Sequence, residues 1–476
     1  MDMSGARIAA GQTFDANLLH VGTGGLFLRQ ASFGGAVDLH DAHVEGQIAM
    51  EGVSVAEGQA FRAARLHVGP GGLFINNAKF GGPVDLPDAH VEGPMDMSDA
   101  TVIGQHLFNA ERLNVGASGL SLTRAKFGGR VDLLDAHVEG LMDVDGARVA
   151  ENQTFYAQRL SVGSSFLARF ATFSGPVNLV GLRVDRNFDL RGSRVRQLDL
   201  TGAVVRDDLR LGGQGEWLRW ALPCTGPQPC LIARNAGVGN LQDDERAWPS
   251  LIALEGFSYT HLGSFGGEQG QDLRNRPIEW WRDWLSRDPV YSPQPYAQLA
   301  GVLAAGGNRD GAAEIRFFGR DRERSELLRG CTLVEQLTRG DQPPCRLGPG
   351  LGASALQLFV GYGIGTYAFR AAYWALALAL IGSAILWFAP GVRSLVPSPS
   401  ATGWGSRQKS LWWCFGASLQ RVLPLITISK EFGDFFDDPA RERLTSRQHF
   451  AFAVLALCGW ALGLFVVAAF SGLIQS

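Results

Sequence analysis

Along residues 1 to 213 apolar and polar positions alternate in short triplets, and the triplets recur at fixed spacing. The segment VDLHDAHVEG starting at Val37 returns as VDLPDAHVEG at Val84 and as VDLLDAHVEG at Val131; Phe33, Phe80 and Phe127 hold one common place, and the chain repeats every 47 residues. A period of this size marks a repeat architecture and decides the fold before any local element is assigned. Within one unit the apolar centres run Leu39, Val44, Met50, Val55, Phe61, Val68, Phe74, Phe80 and then Leu86, five to seven residues apart. Strands so short, with no helical stretch between them, do not fit a sandwich, whose turns come roughly every 8 to 12 residues. Eight steps per period divide into two coils of four faces but not into three-sided coils. The pattern therefore predicts a quadrilateral β-helix of about 23 residues per coil, with inward Leu, Val, Phe and Met stacked in ladders and the residues between them facing solvent.

After Gly213 the repeat fades, and residues 214–270 are expected to form a β cap over the last coil, because a bare end would expose apolar residues and unpaired strand edges. From there to 350 the pattern turns helical and predicts a small α-helical adaptor. IEWWRDWL begins it at Ile278, and PYAQLAGVLAAGGNRDGAAEIRFFGRDRERSELL follows from Pro295 as two amphipathic helices broken at Gly306 and Gly307. The pair resembles a single tetratricopeptide-like unit. Arg316, Arg320, Arg322, Arg324 and Arg329 are candidates to meet anionic lipid headgroups, although Glu314, Asp321, Glu323 and Glu326 on the same stretch also fit a solvated helix face.

Residues 351–476 read as a membrane domain. Ala371 to Ala389 run 19 positions without a charge and Phe450 to Ile474 run 25, each enough to cross about 30 Å of hydrocarbon at about 1.5 Å per residue. Tyr367, Tyr373, Trp374 and Trp387 lie near the two ends of the first run, where interfacial aromatics belong. Between the runs, Leu411 to Ile428 carries Gln420, Arg421 and Pro424 in its second half, which favours a re-entrant or interface helix over a plain span. Sidedness is contested. The linker 391–449 holds eight Lys or Arg against five Asp or Glu, which places it in the cytosol by the positive-inside rule, whereas MDMSGARIAAGQTF has no basic or apolar signal segment and favours a cytosolic N-terminal half.

Composition changes little in this picture. With 46% hydrophobic and 19% charged residues the chain is not disordered, and a net charge of -3 gives no pull toward nucleic acid. Six cysteines form no Cys-x-x-Cys pair; Cys224 and Cys230 bracket the turn-like TGPQP and are expected as reduced thiols. The chain has no GxxxxGK[ST], GxSxG or HExxH motif and only four lysines, so no enzyme, no cofactor and no catalytic or metal site is expected. The repeated Asp41, His43, Glu45 with Asp88, His90, Glu92 and Asp135, His137, Glu139 suggests a metal or acid-base stripe. Its members stand two coils apart, about 10 Å at about 4.8 Å per coil, too far for two imidazoles to share an ion, and are expected as an outward polar face.

Three resemblances follow from these residues. FDLRGSRVRQLDLTGAVVRDDLRL, from Phe188 to Leu211, resembles pentapeptide-repeat sequence, which implies a right-handed quadrilateral β-helix used more often as a binding surface than as an enzyme. VGYGIG at 360–365 superficially matches a potassium-channel filter, but it precedes the first apolar run and is expected as an interface anchor. The order of apolar helix, WWCFGASLQRVLPLITI, polar turn and second apolar helix is similar to the two-helix pore module of tetrameric cation channels. The filter's place is held by Lys430, Glu431, Phe432, Gly433 and Asp434, so side chains of Lys430, Glu431 and Asp434 rather than carbonyls would set a pore's selectivity. Together the parts look like a group of bacterial membrane proteins with pentapeptide-like repeats. Some of these carry an oxidoreductase label, for which no flavin or nicotinamide site is visible. The expected function is a scaffold anchored in the bacterial inner membrane, its solenoid cytosolic and offering a surface to a protein partner. The alternative is an oligomeric, tetrameric ion channel.

Overall fold

The computed structural model describes residues 1–213, 215–221, 228–263, 273, 276–329, 347–389, 411–423, 427–437 and 444–470. The chain divides into two compact units, Met1–Asn308 and Arg309–Ser476, so the adaptor expected over 271–350 is split between them.

In the first unit, residues 7–262 form a parallel β-solenoid of about 11 turns with four strands per coil, as the repeat predicts. Most strands are two residues long, and each pairs in parallel with its equivalents one coil before and after. Four buried columns run up the interior. One is almost pure valine: Val44, Val68, Val91, Val115 and Val138 lie in direct register. Two others alternate large and small residues. Phe33, Val55, Phe80, Val102 and Phe127 stack in one, and Phe14, Val37, Phe61, Val84 and Phe108 in its neighbour. The alternations are out of phase, so from Phe14 to Phe173 each coil holds one phenylalanine at these two places. Diagonal rings meet at 5.1 to 5.4 Å, as in Phe14–Phe33, Phe61–Phe80, Phe108–Phe127 and Phe155–Phe173. Filling the interior evenly thus takes two coils, which is the physical origin of the 47-residue period.

The aspartates of the VDL triplets have a local reason. Asp38 and Asp132 accept a hydrogen bond from the backbone N–H two residues on, at 3.1 Å each, and so fix the corner that follows. One expected centre is displaced. Leu73 and Ile75 are fully buried and Phe74 between them points outward, because the two-residue period of a strand carries side chains to opposite faces.

The columns do not stop at Gly213. Leu209, Leu241 and Leu262 continue one of them and Leu231 pairs with Ile252 in another, so residues expected as a cap add further rungs. Closure of the end falls instead to α1 (Ile278–Ser286) and α2 (Pro293–Ala305). The Asp288 carboxylate accepts from the Leu254 N–H at 2.8 Å, Gln294 accepts from the Gly256 N–H and donates to the Phe257 carbonyl at 3.0 Å each, and Gln298 donates to the Tyr259 carbonyl at 2.5 Å. Side chains thereby take the hydrogen bonds that a next coil would have supplied. Below them Arg276 and Asp243 form a buried two-point ion pair at 2.7 and 3.0 Å, and the guanidinium stands 4.3 Å from the Trp280 ring. Cys230 is disulfide-bonded, which corrects the reduced-thiol expectation; the other described cysteines, Cys414 and Cys458, are free, so its partner lies outside the described residues.

The second unit is helical: α3 (Arg309–Leu328), α4 (Leu347–Val360), α5 (Arg370–Phe388), α6 (Leu411–Val422), α7 (Lys430–Asp437) and α8 (Ser446–Phe470). α5 and α8 cover the two apolar runs and are long and apolar enough to cross a membrane; residues 471–474 of the second run lie outside the described part. α6 has 12 residues, about 18 Å of helix, too short to cross alone. It lies tightly against α5, where a Cβ at Gly382 would come within 2.1 Å of the Ser418 Oγ. α4 was not anticipated; its Gly and Pro residues hide the helical pattern, and Pro349 is tolerated because it falls in the first turn.

Candidate functional site

Four consecutive rungs carry histidine on the outer side of the valine column: His20, His43, His67 and His90. His43 and His90 of the DAHVEG stripe stand two coils apart. His20 and His67 sit on the intervening coils and close the gap, with ring centroids 5.0, 4.4 and 5.1 Å apart and planes within 18° of parallel. Backbone pairing sets this spacing: the His43 N–H donates to the Leu19 carbonyl at 2.8 Å and the His67 N–H to the Ala42 carbonyl at 2.9 Å. Upward the column continues as Asn114, His137 and Ser161. Burial first, then the neighbouring His43 and His90, hold the His67 imidazole below its usual range. Two residues after the histidine, glutamate and glycine alternate. At Gly69 a side chain is excluded, since a Cβ there would lie 2.0 Å from the Glu45 carbonyl oxygen, whereas Gly22 is open. Glu45 reaches to 3.7 Å from His20, and Glu92 to 3.4 Å from His67.

The aspartates of the same motif do not join this stripe. Asp41, Asp88 and Asp135 occupy a corner in left-handed backbone and each bonds the arginine one coil on, Arg65, Arg112 and Arg159, at 2.6 Å. Those hydrogen bonds hold the three carboxyl groups below the usual carboxylate range. Arginine and aspartate thus stitch the corner in pairs, in step with the 47-residue repeat.

In the helical unit the candidate arginines separate. Arg320 pairs with Glu323 at 3.0 Å and Arg324 with Asp321 at 2.9 Å, both along α3, while Arg316 is exposed and Arg322 half-buried. VGYGIG forms a tight turn: Gly361, Tyr362, Gly363 and Gly365 all have φ between 53° and 70°, and the Tyr362 ring is buried against Phe317 at 5.4 Å. A Cβ at Gly361 would come within 2.4 Å of Tyr367, so the glycine serves this turn. Lys430, Glu431, Gly433 and Asp434 lie on α7, an eight-residue helix that engages the carbonyls of its first four residues, 430–433, within itself. Lys430 is exposed; the side chains of Glu431 and Asp434 lie outside the described residues. Phe432 and Phe435 of α7 meet Trp413 at 5.9 and 5.0 Å, and Phe436 meets Phe452 at 5.1 Å. The Gln420 amide oxygen accepts from the N–H groups of Ile428 and Ser429 at 3.0 and 2.9 Å, holding the chain between α6 and α7.

Fold and outer faces together define a β-solenoid joined to a helical unit with two helices of membrane-crossing length. No family model, no curated protein and no solved structure matches this chain.

Proposed function

We propose that the protein is a membrane-tethered scaffold whose solenoid offers a rigid outer face to a protein partner. One observation carries the reading. Of the 25 exposed large hydrophobic side chains among the described residues, 18 lie between Leu351 and Val467, most of them on α5 and α8. Only 28% and 22% of the most apolar 18-residue stretches of α5 and α8 are buried, unlike the core helices of a water-soluble protein. Such surfaces are at home against lipid tails and costly in water. The solenoid suits presentation, because its face is fixed by rung after rung of backbone pairing. The resemblance to pentapeptide-repeat-like proteins points to the bacterial inner membrane. The channel reading rests on the side chains of Glu431 and Asp434, since a helical segment, unlike an extended filter, does not line a pore with its carbonyls.

Reconstitution of the full chain into lipid vesicles tests both readings. The scaffold reading expects the protein to stay with the vesicles through an alkaline carbonate wash and to pass no ions. Release by the wash overturns membrane anchoring. Ion flux that disappears in Glu431→Gln or Asp434→Asn replaces the scaffold with a channel.

A further inference from the structure

The histidine stripe contains the same donor set twice. His43 and Glu45 stand at positions i and i+2 of one rung and share its outer face, with His20 on the rung before them. His90, Glu92 and His67 repeat the arrangement 47 residues later. In each set the imidazoles are about 5 Å apart by ring centroid, 5.0 and 5.1 Å, and the glutamate oxygen approaches the nitrogen of the earlier histidine at 3.7 and 3.4 Å. We infer that each set is a binding site for a divalent transition-metal ion of the zinc, nickel or copper type, held by two imidazoles and one carboxylate.

The donor chemistry fits, since neutral imidazole is the common ligand of these ions and carboxylate a frequent companion. Two ligands from one strand and a third from its neighbour can converge on the space above a sheet, because alternate residues of a strand and adjacent rungs both lie about 5 to 7 Å apart. The rings now lie face to face, and among the described residues no three such groups converge on one point. Capture therefore requires two imidazoles to turn about their side-chain bonds. The surroundings permit it: the side chains of His20 and Glu45 are 67% and 45% exposed, those of His67 and Glu92 31% and 45%. Gly22 and Gly69 leave the neighbouring places without side chains. The column supplies its own control, because the third unit has Asn114 where the first two have His20 and His67, leaving His137 and Glu139 one ligand short.

The test is titration of the untagged full chain in detergent with zinc chloride, followed by calorimetry, and with cobalt, followed by the visible ligand-field spectrum. Two ions per chain are expected at pH 7.5, with binding weakened as pH falls through the imidazole range near about 6.5. His43→Gln and His90→Gln are each expected to remove one ion, the double variant both, and His137→Gln neither. An unchanged thermal unfolding curve without metal checks that each variant folds. The inference is overturned if no ion binds, if the double variant binds as many ions as the parent, or if His137→Gln loses as much as His43→Gln.

Discussion

The two units contain similar apolar residues and dispose of them in opposite ways. In the solenoid nearly every Phe, Leu and Val of the repeat faces inward, and its few exposed large apolar side chains, such as Leu18 and Phe170, sit singly at corners. In the helical unit Leu376, Leu380, Phe450, Leu457 and Leu464 are turned outward along α5 and α8. The two arrangements pair their backbones differently, one by hydrogen bonds between rungs and the other within helices. What differs is the solvent each surface is made for. A solenoid can stand in water because its side chains divide cleanly between inside and outside; α5 and α8, long and apolar enough to cross a membrane, keep apolar side chains on both sides.

The sharpest way to break this contrast is to make similar truncations in both units. Phe108→Ala empties a fully packed rung and is expected to destabilise the solenoid by about 3 to 5 kcal/mol in denaturant unfolding, whereas Leu457→Ala, at an outward position, should shift unfolding in detergent by no more than about 0.5 kcal/mol. A comparable loss for Leu457→Ala would mean that α8 is a buried core helix. Of similar size is the effect of Arg276→Met: it leaves the buried Asp243 carboxylate unpaired beneath the helical closure and is expected to cost about 3 to 5 kcal/mol, with proteolysis opening the C-terminal rungs first. Next comes charge. Leu457→Arg should cost about 2.5 to 3.5 kcal/mol of membrane insertion and move part of the protein out of the carbonate-resistant membrane fraction, while Phe170→Arg should leave that fraction unchanged.

Smaller effects sharpen the outer faces. The His67 proton affinity is lowered by folding, so the unfolded chain takes up its proton first; this contribution to stability is complete above about pH 6.5 and is lost as pH falls through the folded-state value. His67→Gln should flatten the pH dependence of the unfolding midpoint in that window, and an unaltered slope would show that the ladder is not under charge strain. The Cys230 bridge bears on sidedness. Disulfides persist in oxidising compartments, so the bridge is expected to survive in cells only if the solenoid faces one. With a membrane-permeant maleimide in intact cells, labelling of Cys230 only after a reductant is the outcome an oxidising compartment expects; labelling without one reports the reduced thiol that the cytosolic placement expects.

Much of the fold was legible because a solenoid writes its inside and outside into a short, regular period. VDLHDAHVEG and its copies revealed two coils per repeat, the four faces and most inward residues. Phe74 misled because the largest apolar residue of its triplet is the one that points out. The closure by α1 and α2 was hidden, since Asp288, Gln294 and Gln298 act through single hydrogen bonds to a backbone that sequence does not display. The histidine stripe was half visible. Aligning whole 47-residue units matched His43 with His90, but LLHVG at Leu18, RLHVG at Arg65, RLNVG at Arg112 and RLSVG at Arg159 mark the intervening coils and would have supplied His20 and His67. The Gly-Tyr-Gly turn only superficially matched a pore motif, because glycine's left-handed freedom serves tight turns as well as filters.

The out-of-phase phenylalanines restrict how such a chain can lengthen or shorten. Removing a single coil would set Phe upon Phe in one column and Val upon Val in the next, leaving a bulge beside a void. Removing 47 residues would restore every neighbour. Gene duplication and deletion in this protein are thus expected to be tolerated in steps of two rungs, and the solenoid's length should come in increments of about 10 Å.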